Sequence, residues 1–175
     1  EEYQSYGPKE QLVNEKLFKG QKYDDPAFKL FAKLQNFIKF VALGKAPAVI
    51  ICGPPGTSKT HTVKRVLYFS GLMAGRDYKI VKGGSLSTAA FYDLLYQNKR
   101  RILVLDDFDT PLRNPDTINM LKAITDSYDK KMLSFSKEQT MSTGMQEQLP
   151  TSPKIFEYSG KVIIITNLEK NEIDR

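Results

Sequence analysis

The sequence contains a single cysteine, a single histidine and no long hydrophobic run. Cys52 alone cannot form an intramolecular disulfide or a cysteine metal site, which excludes a disulfide-stapled secreted scaffold and fits a reducing cytoplasm. No apolar stretch approaches the roughly 18 residues that would cross a bilayer, which excludes a transmembrane protein. The chain opens on Glu1-Glu2 with no charged-then-apolar leader. No secretory signal is visible, but the missing Met suggests a trimmed or processed start, so targeting stays open at that end, and the single cysteine favours a place in the cytoplasm.

The composition that is present fits one ordinary domain with a charge bias. The chain has 175 residues, of which 41% are apolar, and this is enough for a single hydrophobic core. Its 26 Lys and Arg residues outnumber its 20 Asp and Glu residues, giving a net charge of +6. A basic balance of this size favours anionic partners such as nucleic acid.

Apolar patterning divides the chain into a lead-in and a core. Residues 1–23 are polar and contain Gly7-Pro8 and Gly20 as breakers, so we expect an irregular segment there. Residues 24–175 show helical periodicity alternating with short apolar blocks, which is typical of an α/β fold with a parallel sheet flanked by helices. The pattern predicts helices over 25–43, 59–73, 87–97 and 115–128, and strands over 48–52, 78–82, 102–105 and 161–166.

The pattern also predicts the burial of the first strand and an insertion before the last strand. The run Ala48–Cys52 is apolar without alternation, which is typical of a strand buried on both faces. Before the last strand, two short apolar pieces, 132–135 and 155–158, flank a Ser/Thr/Gln/Met-rich segment. We interpret this stretch as a hairpin-like insertion with a mobile tip.

The turn after the first strand has the composition of a phosphate-binding loop. It precedes a predicted helix, and helix N-termini offer unsatisfied N–H groups and a favourable dipole to a phosphate. Lys59 is expected to reach the β- and γ-phosphates, and the Thr60 hydroxyl to ligand Mg²⁺. The candidate nucleotide-binding residues are Gly53, Pro54, Pro55, Gly56, Thr57, Ser58, Lys59, Thr60 and His61.

One position departs from the phosphate-loop pattern G-x-x-x-x-G-K-[ST]. Ser58 stands where the second glycine belongs, and its Cβ restricts the backbone. A positive φ at Ser58 would cost about 1 to 2 kcal/mol and weaken triphosphate binding about tenfold. The alternative interpretation of the whole segment is a Gly/Pro turn that binds nothing.

Polar residues end the two other strongly apolar strands. Asp106 and Asp107 follow Ile102–Leu105, and Asn167 follows the strand that ends at Thr166. Carboxyl ends of parallel strands are where α/β sheets bind ligands. Asp106 suits a Mg²⁺ carboxylate and Asp107 a general base for the attacking water, whereas Asn167 suits a sensor of the γ-phosphate. The alternatives are a surface acid pair and a turn-forming Asn.

Together the segments GPPGTSKT, ILVLDD and VIIITN resemble the Walker A, Walker B and sensor 1 motifs of AAA+ ATPases over residues 46–168. The resemblance implies a parallel sheet flanked by helices, Mg-ATP as ligand, and a homo-oligomeric ring, commonly a hexamer. It assigns Lys59 and Thr60 to phosphate and metal, Asp106 to the metal, Asp107 to the catalytic acid position usually held by Glu, and Asn167 to sensor 1.

The acid pair and the insertion also resemble viral superfamily 3 helicases, and Leu121 to Asn167 is similar to ATPases of tailed bacteriophages. This resemblance implies a motor on nucleic acid, with single-stranded DNA as one substrate, in phage-type replication or genome processing. In such helicases the hairpin reaches into the ring channel and grips DNA. The basic residues that flank it here are Lys130, Lys131, Lys137 and Lys154, for which a solvated loop is the equal alternative.

AAA+ rings complete their sites with an arginine from the neighbouring subunit and with a helical lid. Arg175 is a conceivable start of the arginine-bearing region, and we expect the lid to lie beyond the 24–175 core. The chain alone should therefore hydrolyse ATP slowly. A nucleotide-gated interaction module with little turnover is the alternative function. A small-molecule kinase is disfavoured because residues 136–153 hold no Arg. His61 follows Thr60, although a lone His on a helix is more often a surface or core residue.

Overall fold

The computed structural model describes residues 6–126, 130–135, 149–169 and 172, and within them the chain has an α/β fold. Four strands form a parallel sheet and two short strands form a separate antiparallel pair. This confirms the fold class expected from the apolar pattern. The strands are β1 (Ala48–Cys52), β2 (Tyr78–Lys82), β3 (Ile102–Asp106), β4 (Met132–Ser134), β5 (Ile155–Glu157) and β6 (Lys161–Thr166).

The strand order of the sheet is β1-β6-β3-β2. The last strand in sequence therefore lies between the first and the third, with Cys52 opposite Thr166 and Ile102 opposite Lys161. Because all four strands are parallel, their carboxyl ends share one edge of the sheet and their amino ends share the opposite edge. The loop after β1 and the polar residues after β3 and β6 consequently lie side by side.

Helices cover both faces of the sheet. They are α1 (Tyr6–Phe18), α2 (Ala32–Ala42), α3 (Lys59–Phe69), α4 (Thr88–Gln97) and α5 (Pro115–Thr125), with 3-10 helices over Pro26–Phe31 and Pro111–Arg113. One face packs on α2 and α3 through Ile38, Val63 and Val66, and the other packs on α4 and α5 through Phe91 and Leu121. β3 and β6 are buried along almost their whole length, which makes them the rigid centre of the fold.

Most helix limits agree with the sequence prediction, and the exceptions have local causes. Ser87 caps α4 by accepting a hydrogen bond from the Ala90 N–H at 3.2 Å. The predicted helix over 25–43 begins instead with a 3-10 turn, and α3 ends at Phe69 because Gly71 turns the chain with φ +76°. Helix α5 ends at Thr125, and residues 127–129 lie outside the described part.

The expectation of an irregular segment over residues 1–23 is wrong for Tyr6–Phe18, which form α1. Gly7 and Pro8 occupy the first turn of this helix, where a proline is tolerated because its missing N–H has no intrahelical partner anyway. Asn14 and Phe18 are the buried side chains that anchor it. With so few buried positions, the helix has almost no apolar periodicity to detect.

The expectation that β1 is buried on both faces is also wrong. β1 is an edge strand whose partner in the described sheet is β6, and Ile50 is 45% exposed. A continuous apolar run shows that a strand forms, but not whether the strand lies at the centre or the edge of a sheet.

The insertion before β6 is confirmed as an antiparallel pair, with Leu133 of β4 opposite Phe156 of β5. Its predicted mobile tip and Lys137 fall in residues 136–148, which lie outside the described residues. Arg175 also lies outside them. No helix in the described part of the chain has the length and apolar character needed to cross a membrane.

Candidate functional site

The loop between β1 and α3 is a compact turn with unusual backbone angles. Gly53 and Gly56 have φ values of +151° and +78°, which glycine adopts without strain. Ser58 is also left-handed, with φ +58°, and this is the conformation whose cost the sequence analysis anticipated. The Thr57 hydroxyl donates to the Pro54 carbonyl at 2.8 Å and closes the turn.

Lys59 lies at the centre of this loop and is only 9% exposed. Its ammonium donates to the Gly53 and Pro54 carbonyls at 2.7 and 2.8 Å, and to Asn167 Oδ1 at 3.2 Å. The amine is therefore fixed between the loop and the end of β6. A cation in this position, at the start of a helix whose first N–H groups lack intrahelical partners, forms a receptor for an anion.

Thr60 and Asp106 meet beside Lys59. The Thr60 hydroxyl donates to Asp106 Oδ1 at 2.8 Å, which joins the first turn of α3 to the end of β3. A hydroxyl and a carboxylate are hard oxygen donors of the kind that Mg²⁺ prefers. Among the described residues there is no group of three or more His, Cys, Asp or Glu side chains arranged to hold a metal. A Mg²⁺ ion at this pair would therefore need further oxygens from a bound phosphate or water.

Asp107 and Asn167 face each other across the same edge. Asn167 Nδ2 donates to Asp107 Oδ1 at 3.4 Å, and Lys82 lies 3.9 Å from the other carboxylate oxygen. The Asp107 side chain is 54% exposed, and its backbone is left-handed with φ +55°. An exposed carboxylate next to a fixed amide can orient a water molecule and accept its proton.

Asp109 is a part of the site that the sequence analysis missed. It accepts hydrogen bonds from the Thr166 hydroxyl at 2.6 Å, the Asn167 N–H at 2.8 Å and Asn167 Nδ2 at 3.3 Å. Burial alone would raise the pKa of Asp109, but these hydrogen bonds and the nearby Lys59 charge hold it below the usual value. The only signal in the sequence was a third acid two residues after the predicted pair.

An open cleft with a volume of about 190 Å³ connects these groups. Residues 55–61 line one side, and Asp106, Asp107, Ile165 and Asn167 line the other. Gly53 and Pro54 support the cleft through their carbonyls on Lys59 without lining it.

His61 lines the cleft and also contacts the amino-terminal segment. Its ring packs edge-on to Phe18 of α1 at 5.2 Å and stacks with Phe28 at 6.1 Å, between centroids. His61 is therefore both a packing residue, as expected for a lone His on a helix, and a residue that lines the cleft.

The structure brings Lys59, Thr60, Asp106, Asp107 and Asn167 into one site, and the described hairpin residues Lys131 and Lys154 do not line its cleft. Lys131 lies at the base of the β4–β5 pair, where its carbonyl accepts from Tyr158 N–H, and Lys154 lies at the other end beside Phe135. At about 3.3 Å per residue, the four-residue separation between Lys154 and Tyr158 spans roughly 13 Å. The backbones of Lys131 and Lys154 thus lie at opposite ends of the β4–β5 pair.

Comparison with known proteins gives no relative: no protein-family model matches this chain, and neither a curated protein nor a solved structure does.

Proposed function

We propose that this chain binds Mg-ATP in the cleft and hydrolyses it as a P-loop ATPase of the AAA+ type. The observation that carries the proposal is the convergence of three separate chain segments: the loop with the start of α3, the end of β3 and the end of β6. Lys59 is bonded to the loop carbonyls and to Asn167, and Thr60 is bonded to Asp106. A turn that only reverses the chain does not require a nearly buried ammonium group that is hydrogen-bonded to the end of another strand.

The phosphate-binding role rests on Lys59 and the start of α3. A β-phosphate at the helix N-terminus would accept hydrogen bonds from N–H groups of residues that line the cleft, and it would pair with the charge of Lys59. The ammonium now donates to two loop carbonyls, so it is already positioned and loses little freedom when an anion arrives. Thr57 keeps the loop closed by bonding to Pro54.

The metal-binding role falls to Thr60 and Asp106, which would hold Mg²⁺ directly or through its bound water. Bound Mg²⁺ would neutralise charge that develops on the phosphate oxygens. Asp106 lies at the end of buried β3. Its hydrogen bond from Thr60 holds the Thr60 hydroxyl oxygen and Asp106 Oδ1 in place before any ion binds.

The hydrolytic role falls to Asp107 and Asn167. Asp107 would accept the proton of the attacking water, and the Asn167 amide would orient that water or contact the γ-phosphate without adding charge. Asp109 positions Asn167, because it accepts both the backbone and the side-chain N–H of that residue.

The proposal extends to a ring of copies acting on nucleic acid in the cytoplasm. Among the described residues that line the cleft, Lys59 is the sole Lys or Arg. Phosphoryl transfer is accelerated about 10³- to 10⁵-fold by an arginine from a neighbouring molecule, which such a cleft leaves room for. Remodelling or translocation of nucleic acid in a phage-type replication or packaging system is supported by the motif order and by the net charge of +6.

The test is steady-state ATP hydrolysis and isothermal titration of Mg-ATP, with and without single-stranded DNA. Lys59→Ala should lose at least about 100-fold in ATP affinity, since charge-assisted hydrogen bonds contribute about 3 kcal/mol here. Lys33→Ala, which removes an exposed lysine from α2, is the matched control and should bind ATP normally. Normal affinity in the Lys59 variant would refute the proposal.

A nucleotide-gated interaction module with little turnover is the second candidate, and one observation favours it. Both Ser58 and Asp107 hold left-handed backbone conformations at the site, and Asp is one methylene shorter than the usual Glu. Tight ATP binding without hydrolysis by the assembled protein would select this candidate, whereas measurable Lys59-dependent turnover would select the ATPase.

A further inference from the structure

The amino edge of the sheet, opposite the cleft, carries a cluster of positive charge. We define the amino-edge cluster as Lys79, Lys99, Arg101, Lys131 and Lys161. Lys79 lies near the start of β2, Lys99 and Arg101 lie in the turn before β3, Lys161 begins β6, and Lys131 immediately precedes β4. These residues come from four separate segments, so the short basic runs at 99–101 and 130–131 show only part of the cluster in the sequence.

Backbone hydrogen bonds hold these segments together. The Lys161 N–H donates to the Arg101 carbonyl at 3.0 Å, and the Ser159 N–H donates to the Lys99 carbonyl at 2.9 Å. Gly160 permits this approach, since a Cβ there would lie 2.6 Å from the Arg101 carbonyl oxygen. The Lys131 carbonyl accepts from the Tyr158 N–H at 2.8 Å, which ties the base of the hairpin to the same edge.

Two pairs of cations in the cluster, Lys79 with Arg101 and Lys131 with Lys161, lie close enough to repel each other. Burial, followed by the charge of Arg101, lowers the pKa of Lys79. Burial and then the charge of Lys161 lower the pKa of Lys131, against an opposing effect of Asp126. A bound polyanion would relieve this repulsion.

Few acids face the cluster. Asp126 acts on Lys131, Glu157 lies exposed on β5, and Asp77 before β2 is paired with Arg76. Among the described residues no carboxylate lies within 4.0 Å of the charged groups of Lys99, Arg101, Lys131 or Lys161. Counting Arg76, Arg100 and Lys130 with the cluster, these described residues comprise eight cations and three acids, a difference of +5.

We infer that the amino-edge cluster is a contact surface for the phosphate backbone of a nucleic acid. Adjacent strands are about 4.8 Å apart, so the ends of β2, β3 and β6 present a row of charge about 10 Å long, which the hairpin base extends. A narrow row of charge suits a linear polyanion better than it suits a broad lipid surface. The inference rests on the proposed function, because the proposed ATPase would act on the polymer that this edge binds. The polymer would then lie on the edge opposite to ATP.

The surface is suited to binding without base recognition. Tyr96, the aromatic residue beside the cluster, has its ring covered by the Lys99 ammonium at 4.4 Å and packed edge-on against Phe156. It is therefore not available for a base to stack on. Contacts would be electrostatic and would weaken steeply with salt.

The test is fluorescence anisotropy of labelled oligothymidine and of a duplex of equal length, measured without ATP over a salt series. The edge variant combines Arg101→Gln, Lys131→Gln and Lys161→Gln. The control variant combines Lys16→Gln, Lys19→Gln and Lys33→Gln, three exposed lysines of the amino-terminal half, and loses the same charge.

The edge variant should lose three phosphate contacts, which lowers the slope of log K against log salt by about 2 for a single strand. The affinity at 0.1 M salt should fall on the order of 100-fold, and the control should stay within about threefold. Equal losses in both variants, no binding by the parent protein, or binding to phosphatidylserine vesicles instead of DNA would overturn the inference.

Titration of Mg-ATP into the same variants separates this inference from the proposed function. Unchanged ATP affinity in the edge variant shows that it is folded and that its DNA loss is local. If Lys59→Ala binds ATP normally while the edge variant loses DNA, the ATPase proposal fails and the contact surface stands.

Discussion

The two edges of one parallel sheet carry opposite kinds of chemistry. The carboxyl edge holds three aspartates, an amide and one nearly buried lysine around an open cleft. The amino edge holds a row of exposed or half-buried cations. In a parallel sheet the loops of the two edges never meet, so one edge can be shaped for a small anion while the other remains accessible to a large one.

The edges also differ in backbone strain. Ser58 and Asp107 are the non-glycine residues with positive φ in the described part of the chain, and both lie at the carboxyl edge. Strained residues persist where the surrounding structure holds them, and they gather at functional sites. The amino edge needs no strain, because flexible cations on ordinary strand ends can adapt to a polymer backbone.

Asp107→Asn should have the largest effect, a loss of kcat that depends on the carboxyl edge alone. The amide cannot accept the proton of the attacking water, so kcat should fall about 100- to 1,000-fold with ATP affinity and DNA binding intact. Single-turnover hydrolysis, titration of ATP and anisotropy with oligothymidine measure the three quantities. Asp24→Asn, at an exposed carboxylate before the first 3-10 helix, is the control. Unchanged turnover would mean that another group activates the water.

A smaller effect is expected from removing one hydrogen-bonded acid at each edge. Asp109→Asn should lower the free energy of unfolding by about 1 to 2 kcal/mol at pH 7 and should reduce turnover, because Asn167 loses its anchor. Asp77→Asn, which breaks the pair with Arg76 at the amino edge, should spare turnover. Equal turnover in the two variants would contradict the positioning role of Asp109.

Both acids have a pKa below the usual value, Asp77 chiefly through its hydrogen bond from Arg76 and Asp109 through bonds that outweigh its burial. A lowered pKa in the folded state means that the stabilisation is complete above the unfolded value near 4 and is lost as pH falls through the folded value. Thermal unfolding of the parent and the variants should therefore differ at pH 6 and converge toward pH 2.

The smallest effect is expected from Ser58→Gly. Glycine relieves the left-handed strain but adds freedom to the unfolded chain, so the stability should change by less than about 1 kcal/mol. The ATP affinity should rise up to about tenfold, since no Cβ then crowds the phosphate. Ser58→Ala keeps the Cβ and should not bind ATP more tightly. DNA binding at the amino edge should not respond to either change.

Local patterns were enough to predict much of the sheet and the centre of the site. β1, β2 and β6 have the limits that their apolar runs indicate, and the Gly/Pro turn before Lys59 forms the expected loop. Lys59, Thr60 and Asp106 meet as their motifs predict, since strand ends of a parallel sheet share an edge. Helix α1 escaped detection because Asn14 and Phe18 are the only buried side chains among its described residues 9–18.

The positions of most strands and helices, and the polar residues that end the buried strands, follow from neighbouring residues and can be predicted from local patterns. The edge position of β1, the anchoring of Asn167 by Asp109, and the shared surface of Arg101, Lys131 and Lys161 come from tertiary packing. These depend on the strand order β1-β6-β3-β2, which brings residues about 60 positions apart into contact. Such an order results from the packing of the whole chain, and no short stretch of sequence contains it.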